Sequence, residues 1–184
     1  MAIIYIAGIF ICIVVLLLFI WSISNAIGLI RARGVPYVPL SRRQLQAIEK
    51  NIKLNSDDIL IDLGCGDGRV LRMFERQGVK NLSGYEVNFW AYLKSKIINK
   101  FTRSKSKIYF KNFKTIDLSK FNIVFCYLLE GYLARMREQF EQQLSPGTKI
   151  ISYGFEIKDW REPKIIYTDK ENKKLGRIFI YEIK

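Results

Sequence analysis

The chain has 184 residues, enough for one domain of ordinary size and an additional segment. Its 30 Lys and Arg against 17 Asp and Glu give a net charge of +13, so the charge favours anionic lipid head groups or nucleic acid as partners. The sequence contains no histidine, which excludes histidine-based nucleophilic catalysis and the usual zinc sites. The three cysteines, Cys12, Cys65 and Cys126, lie far apart, so they predict no metal site and indicate a reduced compartment.

An apolar segment opens the chain. No charged residue occurs from Ala2 to Leu29, and roughly 20 such residues suffice for a helix to cross a hydrocarbon core of about 30 Å. A cleaved signal peptide would show a basic start and a small-residue cleavage site, and neither is present. A buried core helix would be shorter and would show a polar face. We therefore predict that residues 1–30 form a transmembrane anchor.

Basic residues follow this segment, and none precedes it. Arg31, Arg33, Arg42 and Arg43 place the rest of the chain on the cytoplasmic or an equivalent side by the positive-inside rule. Because the basic residues are spread along the chain without a nucleic-acid motif, we expect the lipid bilayer, and not nucleic acid, to be the partner that the charge serves.

A proline-containing lead-in comes next, within residues 31–56. Pro36 and Pro39 keep the chain extended because proline fixes its own φ and restricts the residue before it. Ser41 and Gln44 have the spacing of a capping box, which predicts that a helix begins there. Its apolar residues share one face: Leu45, Ile48 and Ile52.

From Ile59 onward, strands and helices alternate, which indicates an α/β domain over 57–184 with a mostly parallel sheet. The last two strands have no room for a helix between them, so we expect an antiparallel edge hairpin joined by the polar loop "DKENKKLG". The predicted strands are 59–63, 81–86, 107–111, 122–128, 149–154, 164–168 and 177–183, and the predicted helices are about 69–77, 88–100 and 130–144.

The stretch "ILIDLGCGDGRVL" at 59–71 joins the first strand to the next helix. Gly64, Gly66 and Gly68 allow a tight turn and a close approach of the backbone to a ligand. A dinucleotide loop would need glycine where Arg69 stands, and would bring its pyrophosphate against Asp67. A Walker loop would need Gly-Lys-Ser/Thr, which is absent. The remaining pattern is D-x-G-x-G-x-G.

"DLGCGDG" resembles the first motif of class I S-adenosylmethionine-dependent methyltransferases. In that family, an acid at the end of the second strand binds the ribose, as Glu86 in "GYEVN" would, and Asn112 in "FKNF" matches a position facing the adenine. Solvated strand ends are the alternative interpretation of Glu86 and Asn112. The resemblance implies a Rossmann-like seven-stranded fold and S-adenosylmethionine as cofactor. It implies these cofactor-binding residues: Asp62, Gly64, Cys65, Gly66, Gly68, Glu86 and Asn112.

Two further stretches, "VPYVPLSRRQL" and "GYEVNFWAYLKSK", resemble the membrane-anchored protein lysine methyltransferases of the ATP synthase subunit c and adenine nucleotide translocase type. This resemblance implies a lysine of a membrane protein as acceptor and a lead-in that covers the cofactor site. "GFEIKDW" replaces the proline-containing pattern of that family after the fifth strand, so the acceptor side of the pocket is the less defined side.

Catalytic residues are not assigned by the sequence. Glu130 after the fourth strand could polarise an amine or could offset a helix dipole. Methylation of a lipid or small apolar molecule, and a non-catalytic cofactor-binding scaffold, are the alternative functions. Aromatic residues could form dry walls for a lysine, or could pack in the core: Tyr37, Phe113, Tyr127, Phe155 and Trp160.

Overall fold

The structure is a computed structural model that describes residues 1–31, 37–168 and 176–184. Part of the predicted lead-in (32–36) and most of the predicted hairpin loop (169–175) lie outside the described residues. The helices are α1 Ala2–Arg31, α2 Arg42–Asn51, α3 Arg69–Arg76, α4 Phe89–Thr102 and α5 Glu130–Gln143, with a short 3-10 helix at Phe113–Thr115. The strands are β1 Ile59–Leu63, β2 Asn81–Glu86, β3 Lys107–Phe110, β4 Ile123–Cys126, β5 Lys149–Tyr153, β6 Lys164–Tyr167 and β7 Arg177–Glu182.

The strands form one seven-stranded sheet in the order β3-β2-β1-β4-β5-β7-β6. Strands β1 to β5 are parallel, and β7 pairs antiparallel with both β5 and β6. The predicted α/β fold with an antiparallel edge hairpin is therefore confirmed. The direction in which strands are added to the sheet reverses between β1 and β4. Open α/β sheets bind ligands at such a point.

Strand β4 is shorter than predicted. It ends at Cys126, which pairs with Leu63, the last residue of β1. Beyond Leu63 the chain leaves the sheet in the glycine loop, so Tyr127 and Leu128 have no β1 partner and turn into the pocket described below. The other predicted boundaries agree with the structure to within two residues.

Local capping sets the starts of α2 and α4. Gln44 donates its backbone N–H to Ser41 Oγ at 3.3 Å, and Ser41 donates its backbone N–H to Gln44 Oε1 at 2.7 Å, which confirms the predicted capping box. At α4, Ala91 donates its backbone N–H to Asn88 Oδ1 at 3.0 Å. Such caps stabilise a helix by about 1 kcal/mol each.

Both faces of the sheet are buried. Successive side chains of a strand alternate between faces, so Ile61 packs with Phe140 of α5 while Leu60 packs with Ile48 of α2 and Phe74 of α3. Each fully buried side chain of this kind contributes about 1.5–3 kcal/mol. This packing fixes the carboxyl ends of β1, β2 and β4, on which the site is built.

Helix α1 stands apart from this core. Residues Ile4–Ile23 have a mean hydropathy of 3.0 and none of them is buried, so they are long and apolar enough to cross a membrane. Within the folded chain, α1 contacts α4.

Candidate active site

A single pocket at the carboxyl edge of the sheet brings most of the predicted site residues together. It lies between the glycine loop, the ends of β1, β2 and β4, and the lead-in residues 37–40. Gly68 does not line it. This glycine begins α3 at φ +76°, and a Cβ there would lie 3.0 Å from Arg72 Nη1. The predicted residues that do line the pocket are Asp62, Gly64, Cys65, Gly66, Glu86 and Asn112.

The glycine loop is tied to the end of β2 by backbone hydrogen bonds. Gly64 and Cys65 both donate their N–H groups to the carbonyl of Tyr85, at 2.9 and 3.1 Å. Gly66 donates its N–H to Glu86 Oε2 at 2.8 Å. Gly64 and Gly66 adopt φ of +80° and +55°, in the left-handed region that favours glycine. These bonds therefore fix the loop relative to the neighbouring strand.

The Glu86 carboxylate is buried and held by three backbone donors. Oε1 accepts from Val87 at 2.8 Å and from Asn88 at 2.7 Å, and Oε2 accepts from Gly66. Burial raises the pKa of Glu86, although these donors oppose the rise. A carboxylate has about four acceptor positions, so Oε2 keeps one for a ligand hydroxyl.

Asp62 is a buried carboxylate that lines the pocket. Burial raises its pKa well above the ordinary value, and the charges of Glu86 and Asp67 add to the rise. No donor within the described ranges forms a hydrogen bond to this carboxylate. Because a buried acceptor without a donor is costly, a cationic ligand group beside Asp62 would stabilise the site.

Asp67 and Arg69 form an ion pair at the end of the loop, and both residues line the pocket. Arg69 Nε donates to Asp67 Oδ1 at 2.8 Å and Nη2 donates to Oδ2 at 2.5 Å. Burial acts to raise the pKa of Asp67, but the hydrogen bonds and charge of Arg69, with Lys94 and Arg72, outweigh it and hold that pKa below its ordinary value. Arg69 Nη1 also donates to the carbonyl of Leu40, which fastens the lead-in to the loop.

Tyr37 packs directly on the glycine loop. A Cβ built on Gly66 would lie 2.3 Å from Tyr37 Cε2, so only glycine fits beneath this ring. Burial, followed by the charge of Asp67, raises the pKa of Tyr37 to about 12, which keeps its phenol neutral at physiological pH. Residues 37–40 therefore form a roof over the pocket.

Another part of the pocket wall is mostly apolar. Phe113 and Tyr127 line it as the sequence suggested, and Leu128 and Tyr132 join them without having been predicted. Leu128 could have been predicted to line the pocket from its position just after β4, since ligands bind at the carboxyl ends of parallel strands. Phe155 is not a lining residue; its ring stacks on Tyr127 at 6.2 Å between centroids.

Two other candidates lie outside the pocket wall. Trp160 packs against Phe140 and Tyr181, so it belongs to the core and not to the acceptor side. Glu130 lies in the first turn of α5 and forms an exposed 2.8 Å ion pair with Lys158. A negative charge at this end of a helix offsets the dipole, which agrees with the structural interpretation of Glu130.

Asn112 is exposed and caps the short 3-10 helix. Its Oδ1 accepts from the backbone N–H of Lys114 at 3.0 Å, although the residue also lines the pocket. The amide nitrogen remains available to a ligand, whereas the oxygen already serves as the cap.

The ANTKMT methyltransferase domain matches residues 62–164, more than half of the chain. The chain belongs to this family. A protein-lysine N-methyltransferase of Saccharolobus islandicus is 30% identical over 152 residues, covering 81% of this chain and 94% of that protein. The adenine nucleotide translocase lysine N-methyltransferase of Mus musculus is 21% identical over 151 residues, covering 81% of this chain and 63% of the mouse protein.

A solved structure supports the fold of this ANTKMT-family chain. The crystal structure of an RNA methyltransferase from Salinibacter ruber with S-adenosyl-L-homocysteine has a TM-score of 0.69 at 24% identity, covering 79% of this chain and 94% of that one. The predicted family and cofactor are thus confirmed: the chain is an S-adenosylmethionine-dependent methyltransferase.

The pocket fits that cofactor chemically. S-adenosylmethionine has an ammonium group and two ribose hydroxyls, and it supplies an electrophilic methyl group on sulfur. The described pocket offers an unpaired buried carboxylate at Asp62, an open acceptor position on Glu86, and a loop at Gly64 and Gly66 that lacks side chains.

Proposed function

We propose that this chain is a membrane-anchored protein-lysine N-methyltransferase that modifies a membrane or membrane-associated protein. The observation that carries the proposal is the 30% identity, over most of both chains, with a protein-lysine N-methyltransferase. A mouse relative that acts on a lysine of the adenine nucleotide translocase supports a membrane protein as acceptor.

On the cofactor side, Asp62 receives the ammonium group and Glu86 receives a ribose hydroxyl. Gly64, Cys65 and Gly66 let the amino-acid end approach the backbone. The support is that these residues share one pocket and that the loop is hydrogen-bonded to β2. Gly68 acts indirectly by starting α3. The amide of Asn112 faces the adenine end.

On the acceptor side, Phe113, Tyr127 and Tyr132 surround the lysine side chain. Methyl transfer requires a neutral amine, and an apolar wall lowers the pKa of a lysine because burial disfavours its charged form. Much of the rate comes from holding the amine in line with the methyl group. The absence of histidine from the sequence is therefore no obstacle.

On the membrane side, residues 1–30 anchor the chain and residues 31–56 connect the anchor to the methyltransferase domain, 57–184. The unburied apolar span Ile4–Ile23 supports the anchor. By the positive-inside rule, the arginines that follow it support a domain on the cytoplasmic or an equivalent side: Arg31, Arg33, Arg42 and Arg43. Anchoring raises the effective concentration of a partner in the same membrane.

The test uses the full-length protein, methyl-labelled S-adenosylmethionine and membranes from the source organism, followed by mass spectrometry of the labelled band. We expect label on the side-chain nitrogen of a lysine in a membrane protein, and much less label with the Glu86→Gln variant. Label in the lipid extract, or cofactor binding without transfer to any component, would contradict the proposal.

A further inference from the structure

Helix α4 exposes a row of large apolar side chains. Its inner face is buried through Ala91, Ser95 and Asn99. On its outer face Phe89, Ile97 and Phe101 are 42%, 48% and 83% exposed. Successive members are eight and four residues apart, so at 100° per residue they span about 120° of the helix circumference, opposite the buried face. An exposed apolar row of this kind marks an interaction surface.

Basic residues surround this row. Residues 87–116 contain eight Lys and Arg and no Asp or Glu. At 100° per residue, Lys94 and Lys96 fall on opposite borders of the row, each about 20° beyond its last apolar residue, and Lys100 falls within the row, about 20° from Phe89. All three lysines are exposed, although Lys94 also lies 3.5 Å from Asp67. An apolar stripe with basic borders is the pattern of a helix that lies in a membrane interface.

The position of α4 in the fold agrees with this pattern. Helix α1 contacts α4, and with Ile4–Ile23 in the hydrocarbon core the lysine-bearing α4 would meet α1 beyond Ile23, because charged side chains are costly inside the bilayer. The eight residues from there to Arg31 rise about 12 Å at 1.5 Å each. This distance places α4 near the head groups at the end of the span.

We propose that the outer face of α4 docks on the anionic head-group surface of the bilayer that holds α1. Phe89, Ile97 and Phe101 enter the acyl boundary, while Lys96 and Lys100 contact lipid phosphates. This proposal rests on the membrane anchoring proposed above. A second copy of the chain is the poorer occupant because it would bring another net charge of +13 to a basic surface.

Docking of α4 would also orient the active site. Helix α4 begins three residues after Glu86, and the intervening Val87 and Asn88 line the cofactor pocket. A helix fixed on the membrane therefore holds the pocket at a constant height and angle above it. The acceptor class that this geometry favours is a lysine at the membrane surface.

The test places a nitroxide label at single cysteines in the full-length protein, reconstituted in nanodiscs with 30% anionic phospholipid. The background carries Cys12→Ser, since Cys65 and Cys126 are buried. Labels at Ile97→Cys and Phe101→Cys report on α4. A label at Gln142→Cys, an exposed position on α5, is the water control, and a label at Val15→Cys reports on the apolar span. Relaxation by lipid-soluble oxygen is compared with relaxation by a water-soluble nickel chelate.

We expect the oxygen-to-nickel ratio at both α4 positions to exceed that at Gln142→Cys several-fold. The Lys96→Gln/Lys100→Gln variant should lower the docking equilibrium constant roughly fivefold per lysine, whereas Lys149→Gln/Lys164→Gln, on strands at the other end of the sheet, should not. An α4 signal equal to that of Gln142→Cys, with Val15→Cys in lipid, would overturn the docking and leave the anchor standing. Protection from both reagents that grows with protein concentration would indicate a second copy and would also overturn it. A water-like Val15→Cys would refute the anchor itself.

Discussion

Gly66 donates its backbone N–H to Oε2 of Glu86 at 2.8 Å, across twenty residues of sequence. This bond joins the side-chain-free loop after β1 to the carboxylate at the end of β2. The two elements that are proposed to hold the amino-acid end and the sugar of the cofactor are therefore one rigid unit.

The Glu86→Gln variant tests the sugar contact. An amide has one oxygen and would direct its NH2 group at backbone N–H donors, so it cannot accept from Gly66, Val87 and Asn88 together. A hydrogen bond to a charged group contributes about 1.5–3 kcal/mol, so we expect S-adenosylmethionine to bind at least about tenfold more weakly in equilibrium dialysis. Glu138→Gln, an exposed acid on α5, is the control. Equal affinity of the two variants would contradict the role of Glu86.

The Gly66→Ala variant tests the packing of Tyr37 on the loop. The added Cβ would lie 2.3 Å from the Tyr37 ring, at a φ of +55°. Gly78→Ala is the matched control, because Gly78 also has a positive φ but nothing within 4 Å of its Cβ position. Both variants should lose about 1–2 kcal/mol from backbone strain, and only Gly66→Ala should also lose cofactor affinity. A Gly66→Ala variant with normal affinity would show that the roof is not needed.

Asp62→Asn should separate stability from binding. The pKa of Asp62 in the folded chain is raised, so ionisation of this carboxyl destabilises the empty protein. The protonated carboxyl favours the folded state, and this contribution to stability is lost as pH rises through the raised pKa. We expect the variant to melt later at pH 8, by about 0.5–2 kcal/mol in stability, and to bind S-adenosylmethionine more weakly. The stability gain should shrink as pH falls. A variant that is less stable at pH 8 would show that this account of Asp62 is wrong.

Asp67→Asn should show the opposite dependence on pH. The pKa of Asp67 in the folded chain is held below its ordinary value of 3.8, so its stabilising contribution is complete above that pH and is lost as pH falls through the lowered pKa. In urea denaturation at pH 7 the variant should be less stable by about 1–3 kcal/mol, and the difference should vanish in strong acid. Asp57→Asn, an exposed control, should change little. A pH-independent loss would assign the effect to packing and not to charge.

Removal of residues 1–30 should separate the membrane from the chemistry. The cofactor pocket begins at Tyr37, so the shortened chain should bind S-adenosylmethionine normally. Methylation of the membrane acceptor should fall, because the effective concentration that anchoring provides is lost. Initial rates of the two forms are compared at matched bulk concentration. Equal rates would count against an anchored mechanism.

Features set by neighbouring residues could be predicted from the sequence. The capping box of Ser41 and Gln44 depends on two residues three apart, and the central strands are short, nearly continuous apolar runs such as "ILIDL" and "IVFC". The end of β4 could not be predicted, because it depends on where β1 leaves the sheet at Leu63 and not on the residues of β4 itself.

Features set by tertiary packing could be predicted only in part. Tyr127 and Trp160 are both aromatic residues near strand ends, yet one lines the pocket and the other joins the core. From the sequence, Asp67 is predicted to be an unneutralised negative charge that would repel an anionic ligand. In the structure the turn at Gly68 brings Arg69 onto it, and the charge is neutralised within the loop.

Calorimetric titration of the intact, full-length protein with S-adenosylmethionine is the most direct test of the central claim, that the glycine loop and Glu86 together form a cofactor cradle. The account predicts heat from saturable binding at one site per chain, the same with S-adenosylhomocysteine, and a clear loss of affinity with Glu86→Gln. No heat with either compound from a correctly folded protein would contradict it.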